Sequence, residues 1–155
     1  MTKKSKDTSR RIVNRKAEHN YHILESLEAG LILTGSEVKS LRAGTAQLTD
    51  AFVRLTGDSA TIYGLQIDRY PPATDRNHDP NRHRRLLLHR REIQRLGLRL
   101  AQAGTTLIPL AVYFNDRGLA KVQLGLAVGK KQYDKRQALK KRDHQRGIDR
   151  ATHRR

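Results

Sequence analysis

Histidine, carboxylate and cationic side chains are where any chemistry in this chain would have to begin. Seven histidines occur, at His19, His22, His78, His83, His89, His144 and His153. His19 and His22 are three residues apart, but at the start of a strand that spacing sends them to opposite faces, so no metal site is expected. The 15 acidic residues are scattered, with no pair placed for acid–base work and no cluster of the kind a two-metal nuclease needs. G-x-S-x-G, H-E-x-x-H and a phosphate-cradling glycine loop do not occur. The residues therefore predict no catalytic centre, no metal and no cofactor.

The cations say more. The chain of 155 residues has a formal net charge of +17, and its distribution is uneven. Residues 1–16 carry seven Lys/Arg against one Asp, and residues 130–155 carry eleven against three. A nearly neutral body thus lies between two basic, core-poor arms, a pattern that points to a polyanion and first to nucleic acid. A third basic patch is expected on the body itself. In RHRRLLLHRRE (82–92) three leucines fit a buried strand, and the arginines emerge at its rims to meet RNA phosphates and sugar edges. A snorkelling edge is the structural alternative there.

Cysteine is absent, which excludes disulfides and thiolate metal sites and fits a reducing compartment. No apolar run approaches the 18 or so residues that cross a membrane, and the first residues lack a signal-like apolar stretch. A cytoplasmic protein without a membrane partner is expected.

The elements that must position these side chains read mainly as strands. Residues 21–35 hold two apolar runs around Ala29-Gly30, a bend or bulge. Runs at 52–55 and 61–67 flank Gly57-Asp58 as a hairpin, and residues 105–129 repeat the plan around Asn115–Gly118. Pro109 inside its strand signals an edge or a bulge. One helix is expected over 36–44, with Gly44 as its stop, and another over about 89–103, with Ile93, Leu96, Leu100 and Ala101 on one face and Leu98 off it. The sum is a mainly β fold with added α: a small, closed, six-stranded antiparallel barrel of the oligonucleotide-binding (OB) type. Two to three helices and a basic C-terminal tail complete it. The boundaries are an arm over 1–16, the barrel over 17–129 and the tail over 130–155.

That tail begins with GKKQYDKRQALKKRD, good helix formers with almost nothing to bury. Ordering costs roughly 1–2 kcal/mol of backbone entropy per residue, so the segment should become helical only on a partner. Fully helical, it would span on the order of 39 Å. Tyr133, set among lysines, is placed to stack on a base.

Five stretches now converge. GSEVKSLRAG (35–44) resembles the signature of the SmpB family, proteins that bind transfer-messenger RNA. NRKAEHNY (14–21), LEAG (27–30), DPNRHRRLLLHRREI (79–93) and LAVGKKQYDKR (126–136) resemble family segments in the same order. The resemblance implies an OB-like barrel that binds the tRNA-like domain of transfer-messenger RNA and enters stalled ribosomes with it, acting as a monomer and catalysing nothing. Asn14, His19, Tyr21, Glu28, Leu87, His89 and Lys121 match the family's RNA-contacting positions, all expected on one side of the barrel. Glu28 would accept hydrogen bonds from base or ribose donors. Gly129, Lys130, Lys131, Tyr133, Asp134, Lys135 and Arg136 match the tail element that becomes helical in the empty messenger channel of the 30S subunit, against 16S rRNA in the decoding centre. Ile148 matches a distal apolar position. His144 stands where the family commonly has an aromatic residue. On composition alone, a general single-strand RNA-binding or ribosomal OB protein is the alternative.

Overall fold

Long strands with alternating burial build the body, and short helices close it. The structure, a computed structural model, describes residues 11–152, apart from the side chains of Gln132, Tyr133, Ala151 and Thr152. The first ten residues of the basic arm and the stacking side chain expected at Tyr133 lie outside what is described. In chain order the elements are β1 (Ile12–Val13), α1 (Arg15–Asn20), β2 (Tyr21–Leu31), α2 (Gly35–Ala43), β3 (Ala46–Gln47), β4 (Phe52–Thr56) and β5 (Ser59–Tyr63). There follow β6 (Gln66–Ile67), a 3-10 helix (Pro71–Arg76), β7 (Arg84–Leu87), α3 (Arg90–Leu100), β8 (Thr105–Phe114), β9 (Ala120–Gly129) and α4 (Gln132–Thr152).

Six strands form a closed antiparallel ring, β8-β4-β5-β7-β2-β9, because β9 pairs back onto β8. β1 extends β8, and β3 and β6 pair apart from the ring. Inside it, Val53, Ile62, Leu86, Leu107, Leu124 and Leu126 are buried, and Leu41 of α2 and Leu96 of α3 pack in at the ends. Each such side chain contributes roughly 1.5–3 kcal/mol. A second, smaller cluster lies on the outer face of β8 and β9, where Ala17 of α1 covers Ile108 and Ala127 beside Tyr21 and Ile23.

Two irregularities shape the long strands. Pro109 coincides with a register shift between β8 and β9, the bulge that a missing N–H implies. β2 has its shift between Ile23 and Glu25. Ala29-Gly30 is thus no bend: β2 runs unbroken to Leu31, and Gly30 is small because Leu87 of β7 lies opposite it. A Cβ on Gly30 would stand 3.1 Å from that of Leu87.

α2 and α3 form where their caps are. Glu37 accepts the Thr34 N–H at 2.7 Å and Glu92 the His89 N–H at 2.8 Å, each carboxylate reaching back one turn. Gly44 ends α2 at φ 81°, a left-handed position suited to glycine. On α3, Ile93 and Leu96 are buried and Leu98 is 77% exposed, as the helical period requires. Ala101 is exposed and does not share their face.

The arginine-rich stretch departs from expectation. Alternation along β7 turns Arg84 and Leu86 inward, and Arg84 is fully buried. Its Nε donates to Glu37 Oε1 at 2.8 Å, and its two terminal nitrogens reach the carbonyls of Leu65, Arg82 and Pro80. Arg82 adds Nε and Nη2 bonds to the same carboxylate at 3.0 and 2.7 Å. Burial pushes the Glu37 pKa up, but Arg82, the Thr34 N–H and Arg84 outweigh it and hold it at about 2. These two arginines are structural, so the body's basic patch rests on the others.

Candidate nucleic-acid interface

The bulge in β2 decides where the sequence-matched residues end up. Before it, Tyr21 and Ile23 join the outer cluster; after it, Leu27, Ala29 and Leu31 join the inner core. Odd-numbered Tyr21 and even-numbered Glu28 consequently share the outer face. A strand without the shift would have put them on opposite sides.

Glu28 and Lys121 sit in a cleft of about 590 Å³ with Leu87 and His89, bounded also by Glu92 and Leu119. Leu87 is 61% exposed there, pushed outward by the alternation that buries Leu86. His89 is exposed at the N-terminal end of α3. Glu28 is not a bare carboxylate: the Tyr113 hydroxyl donates to Oε2, and the Lys121 ammonium stands 3.2 Å from Oε1. The hydrogen bond from Tyr113, aided by Lys121, holds the Glu28 pKa below its ordinary value. Burial and the neighbouring carboxylate push the Tyr113 phenol up to about 12. Arg11 lies 5.0 Å from the centre of the Tyr113 ring and bonds to Gln123, which pairs with Glu28 across the strands.

Tyr113 carries no signal in the sequence. It opposes Lys121 in the β8–β9 register, so only the strand pairing identifies it as the residue that orients Glu28.

Asn14 and Tyr21 continue the same side and line one groove. His19 is on α1, not at a strand start, and Tyr21 follows as the helix's C-terminal cap with its N–H on the Ala17 carbonyl. Asn14 is 6% exposed, its Nδ2 donating to the Pro109 carbonyl at 3.1 Å and its Oδ1 buried without a partner among the described residues. A groove lined by Arg11, Asn14, Glu18, Ile23 and Gln123 joins this end to the Glu28 network.

The tail leaves the ring beside α1. Gly129 is the last residue of β9 and pairs with Tyr21. The Lys130 N–H bonds to the Asn20 carbonyl at 2.8 Å and its Nζ to the Glu18 carbonyl at 2.7 Å, so this lysine satisfies free carbonyls at the end of α1. Asp134 stands 3.8 Å from His22. Lys131 and Arg136 are exposed, Lys135 is half-buried, and Leu139 and Ile148 remain 48% and 47% exposed on α4. Among the described residues, no group of histidines and carboxylates is arranged to hold a metal ion.

An antiparallel ring with a mixed polar and apolar outer cleft, joined to a helix rich in lysine and arginine, is a small polyanion-binding protein of the OB class. The chain belongs to the SmpB family, whose model matches residues 11–154. An "SsrA-binding protein" of Desulforamulus reducens is 53% identical over 138 residues, 89% of this chain and 86% of that protein. One from Salinispora tropica is 52% identical over 152 residues, 97% of this chain and 95% of that protein. A solved structure described as "tmRNA-SmpB: a journey to the center of the bacterial ribosome" is 49% identical and superposes with a TM-score of 0.68, covering 79% of this chain and 85% of the other.

Proposed function

We propose that this protein is an RNA-binding adaptor of trans-translation: it holds the tRNA-like domain of transfer-messenger RNA and accompanies it into stalled ribosomes, where the nascent peptide is tagged for degradation. The names and ribosomal setting of its relatives support that reading. The observation that carries it is the bulge between Ile23 and Glu25, which gathers Asn14, Tyr21, Glu28, Leu87, His89 and Lys121 along one outer side. His19, in the last turn of α1, is added on the family resemblance alone.

On that side Lys121 meets phosphate, Leu87 gives an apolar surface for a base or ribose, and Glu28 accepts hydrogen bonds from base amino groups or the 2′-hydroxyl. Tyr113 and Lys121 keep the Glu28 carboxylate ionised and aimed, so it acts as an acceptor throughout the physiological range. The protein catalyses no reaction, needs no cofactor and works in the cytoplasm as a monomer with its RNA.

Residues 130–155 are the ribosome-facing part. Gly129, Lys130, Lys131, Tyr133, Asp134, Lys135 and Arg136 lead into the decoding centre, and Ile148 anchors the distal helix in the messenger channel against 16S rRNA. α4 has the charge for phosphate walls and no apolar stripe to bury, with Leu139 and Ile148 half exposed.

A reconstituted tagging reaction on ribosomes stalled at a truncated message tests the division. The chain ending at Gly129 should deliver transfer-messenger RNA without tagging, whereas tagging by that truncated chain would refute the role given to the tail.

A further inference from the structure

The cleft beside Glu28 has no surplus of positive charge. Besides His89, its ionisable lining residues are Glu28, Glu92 and Lys121, and the Lys121 ammonium stands 3.2 Å from Glu28. Two carboxylates against one ammonium are a poor seat for an RNA phosphate. The cation that offsets them stands further out on the same face, where β1 joins the sheet.

Ile12 of β1 pairs with Val112 of β8, and the same register carried one residue back sets Arg11 opposite Tyr113. Tyr113 opposes Lys121, Lys121 opposes Gly30, and Gly30 opposes Leu87. One outward row thus crosses five strands from β1 to β7, over about 19 Å at the usual strand spacing. Val112, Val122 and Ala29, in the alternate row, are buried in the core. Arg11 is exposed, with its guanidinium 5.0 Å from the centre of the Tyr113 ring, and its Nη2 donates to Gln123 Oε1. Gln123 pairs with Glu28 across the strands, so the guanidinium is drawn towards the carboxylate. Among the described residues no carboxylate forms an ion pair with Arg11, although Glu18 of α1 lines the same groove. Its charge is therefore uncompensated, and the N–H groups not used by Gln123 are available.

We propose that Arg11 is a phosphate-holding residue of this RNA site: resting on Tyr113 and steered by Gln123, it clamps the backbone beside the nucleotide that Glu28 meets and so fixes the position of the RNA on this face. The inference rests on the reading of the Glu28 side as the RNA-facing side. Arginine suits the task because its planar fork stacks on an aromatic ring and still presents paired N–H donors to phosphate oxygens. The division of labour follows from charge: Glu28, paired with Lys121, accepts from base or ribose, and Arg11 holds the backbone. The first basic segment thereby acquires a definite role, since β1 fixes its last cation in the site.

The test is the affinity of the full chain for the tRNA-like domain, measured across about 50–200 mM salt. Arg11→Gln should weaken binding roughly 3- to 10-fold near 0.1 M salt and make the slope of log affinity against log salt shallower by about 1. Arg11→Lys keeps the charge without the fork, so the slope should return to that of the wild type while affinity recovers only in part. Arg76→Gln removes the same charge from the exposed 3-10 helix and should leave both quantities nearly unchanged. Lys121→Gln tests the face itself and should weaken binding whether or not Arg11 takes part. Thermal midpoints should stay within a few degrees for the two Arg11 variants, because that side chain is exposed. Weakened binding by Lys121→Gln with Arg11→Gln unchanged would overturn this inference and leave the RNA-facing side standing. No effect from either would overturn both. An equal loss of affinity and slope in Arg76→Gln would reduce Arg11 to one cation among many and overturn its placement in the site.

Discussion

Glu37 and Arg84 are 47 residues apart in sequence, and both are fully buried with an Nε–Oε1 hydrogen bond of 2.8 Å between them. The pair ties the first turn of α2 to β7, and Arg82 joins it from the rim. Two of the most family-like stretches, GSEVKSLRAG and DPNRHRRLLLHRREI, therefore meet as scaffold.

Glu37→Gln should be strongly destabilising, because it leaves the Arg84 cation buried without its counter-charge. The expected loss is about 3–5 kcal/mol, read as a lower urea midpoint. The penalty is pH-dependent. The folded pKa of Glu37, about 2, lies below its ordinary 4.5, so its ionised form stabilises the fold above the unfolded value. That stability is lost as pH falls through about 4.5 towards 2. The gap between wild type and variant should hence narrow between pH 6 and pH 3; a constant gap would contradict the assignment.

Tyr113 should behave as the residue that orients Glu28. Tyr113→Phe is expected to weaken binding to the tRNA-like domain several-fold, and Glu28→Gln roughly 10-fold, with thermal midpoints nearly unchanged since both groups are at the surface. Ultraviolet titration offers an independent check. One tyrosine should ionise near pH 12 in the wild type and return towards 10 in Glu28→Gln.

Gly30 leaves room for Leu87, so Gly30→Ala presses a methyl group against it at 3.1 Å. Leu87 must shift on the very face where RNA is proposed to sit. Stability should fall by about 1–3 kcal/mol, and RNA binding should weaken beyond what unfolding accounts for. The paired variant Gly30→Ala/Leu87→Ala should recover most of the stability but not the binding.

The helix α4 buries little. Its amides beyond Asp134 should exchange within seconds in the free protein and become protected on the 30S subunit, because a helix without an apolar face is marginal in water. Strong protection in the free chain would show that its contacts to α1 suffice.

Local signals were readable in the sequence, and long-range pairings were not. Gly44 as a stop placed the end of α2 and the apolar period placed α3, whereas α2 is capped by Thr34 and α3 ends at Leu100, short of Gly104. Gly57-Asp58 placed the β4–β5 hairpin, and Pro109 announced its bulge. α1 escaped because RKAEHN has one buried residue, Ala17, and no apolar period to detect. The bulge after Ile23 has no glycine or proline to mark it. Arg84 reads as a surface cation because its partner is 47 residues away, and Tyr113 reads as an ordinary core tyrosine of its strand because Glu28 is 85 residues away. Charge counts cannot tell a rim arginine from one that a distant carboxylate draws inside.

The most direct measurement is the affinity of the full chain and of the chain ending at Gly129 for the tRNA-like domain, each with an unstructured RNA as competitor. Tight, competitor-resistant binding by both is the expected result, placing recognition on the Glu28 side of the ring and leaving the tail for the ribosome. Loss of binding on truncation, or equal affinity for the competitor, would contradict it and make the basic segments the source of affinity.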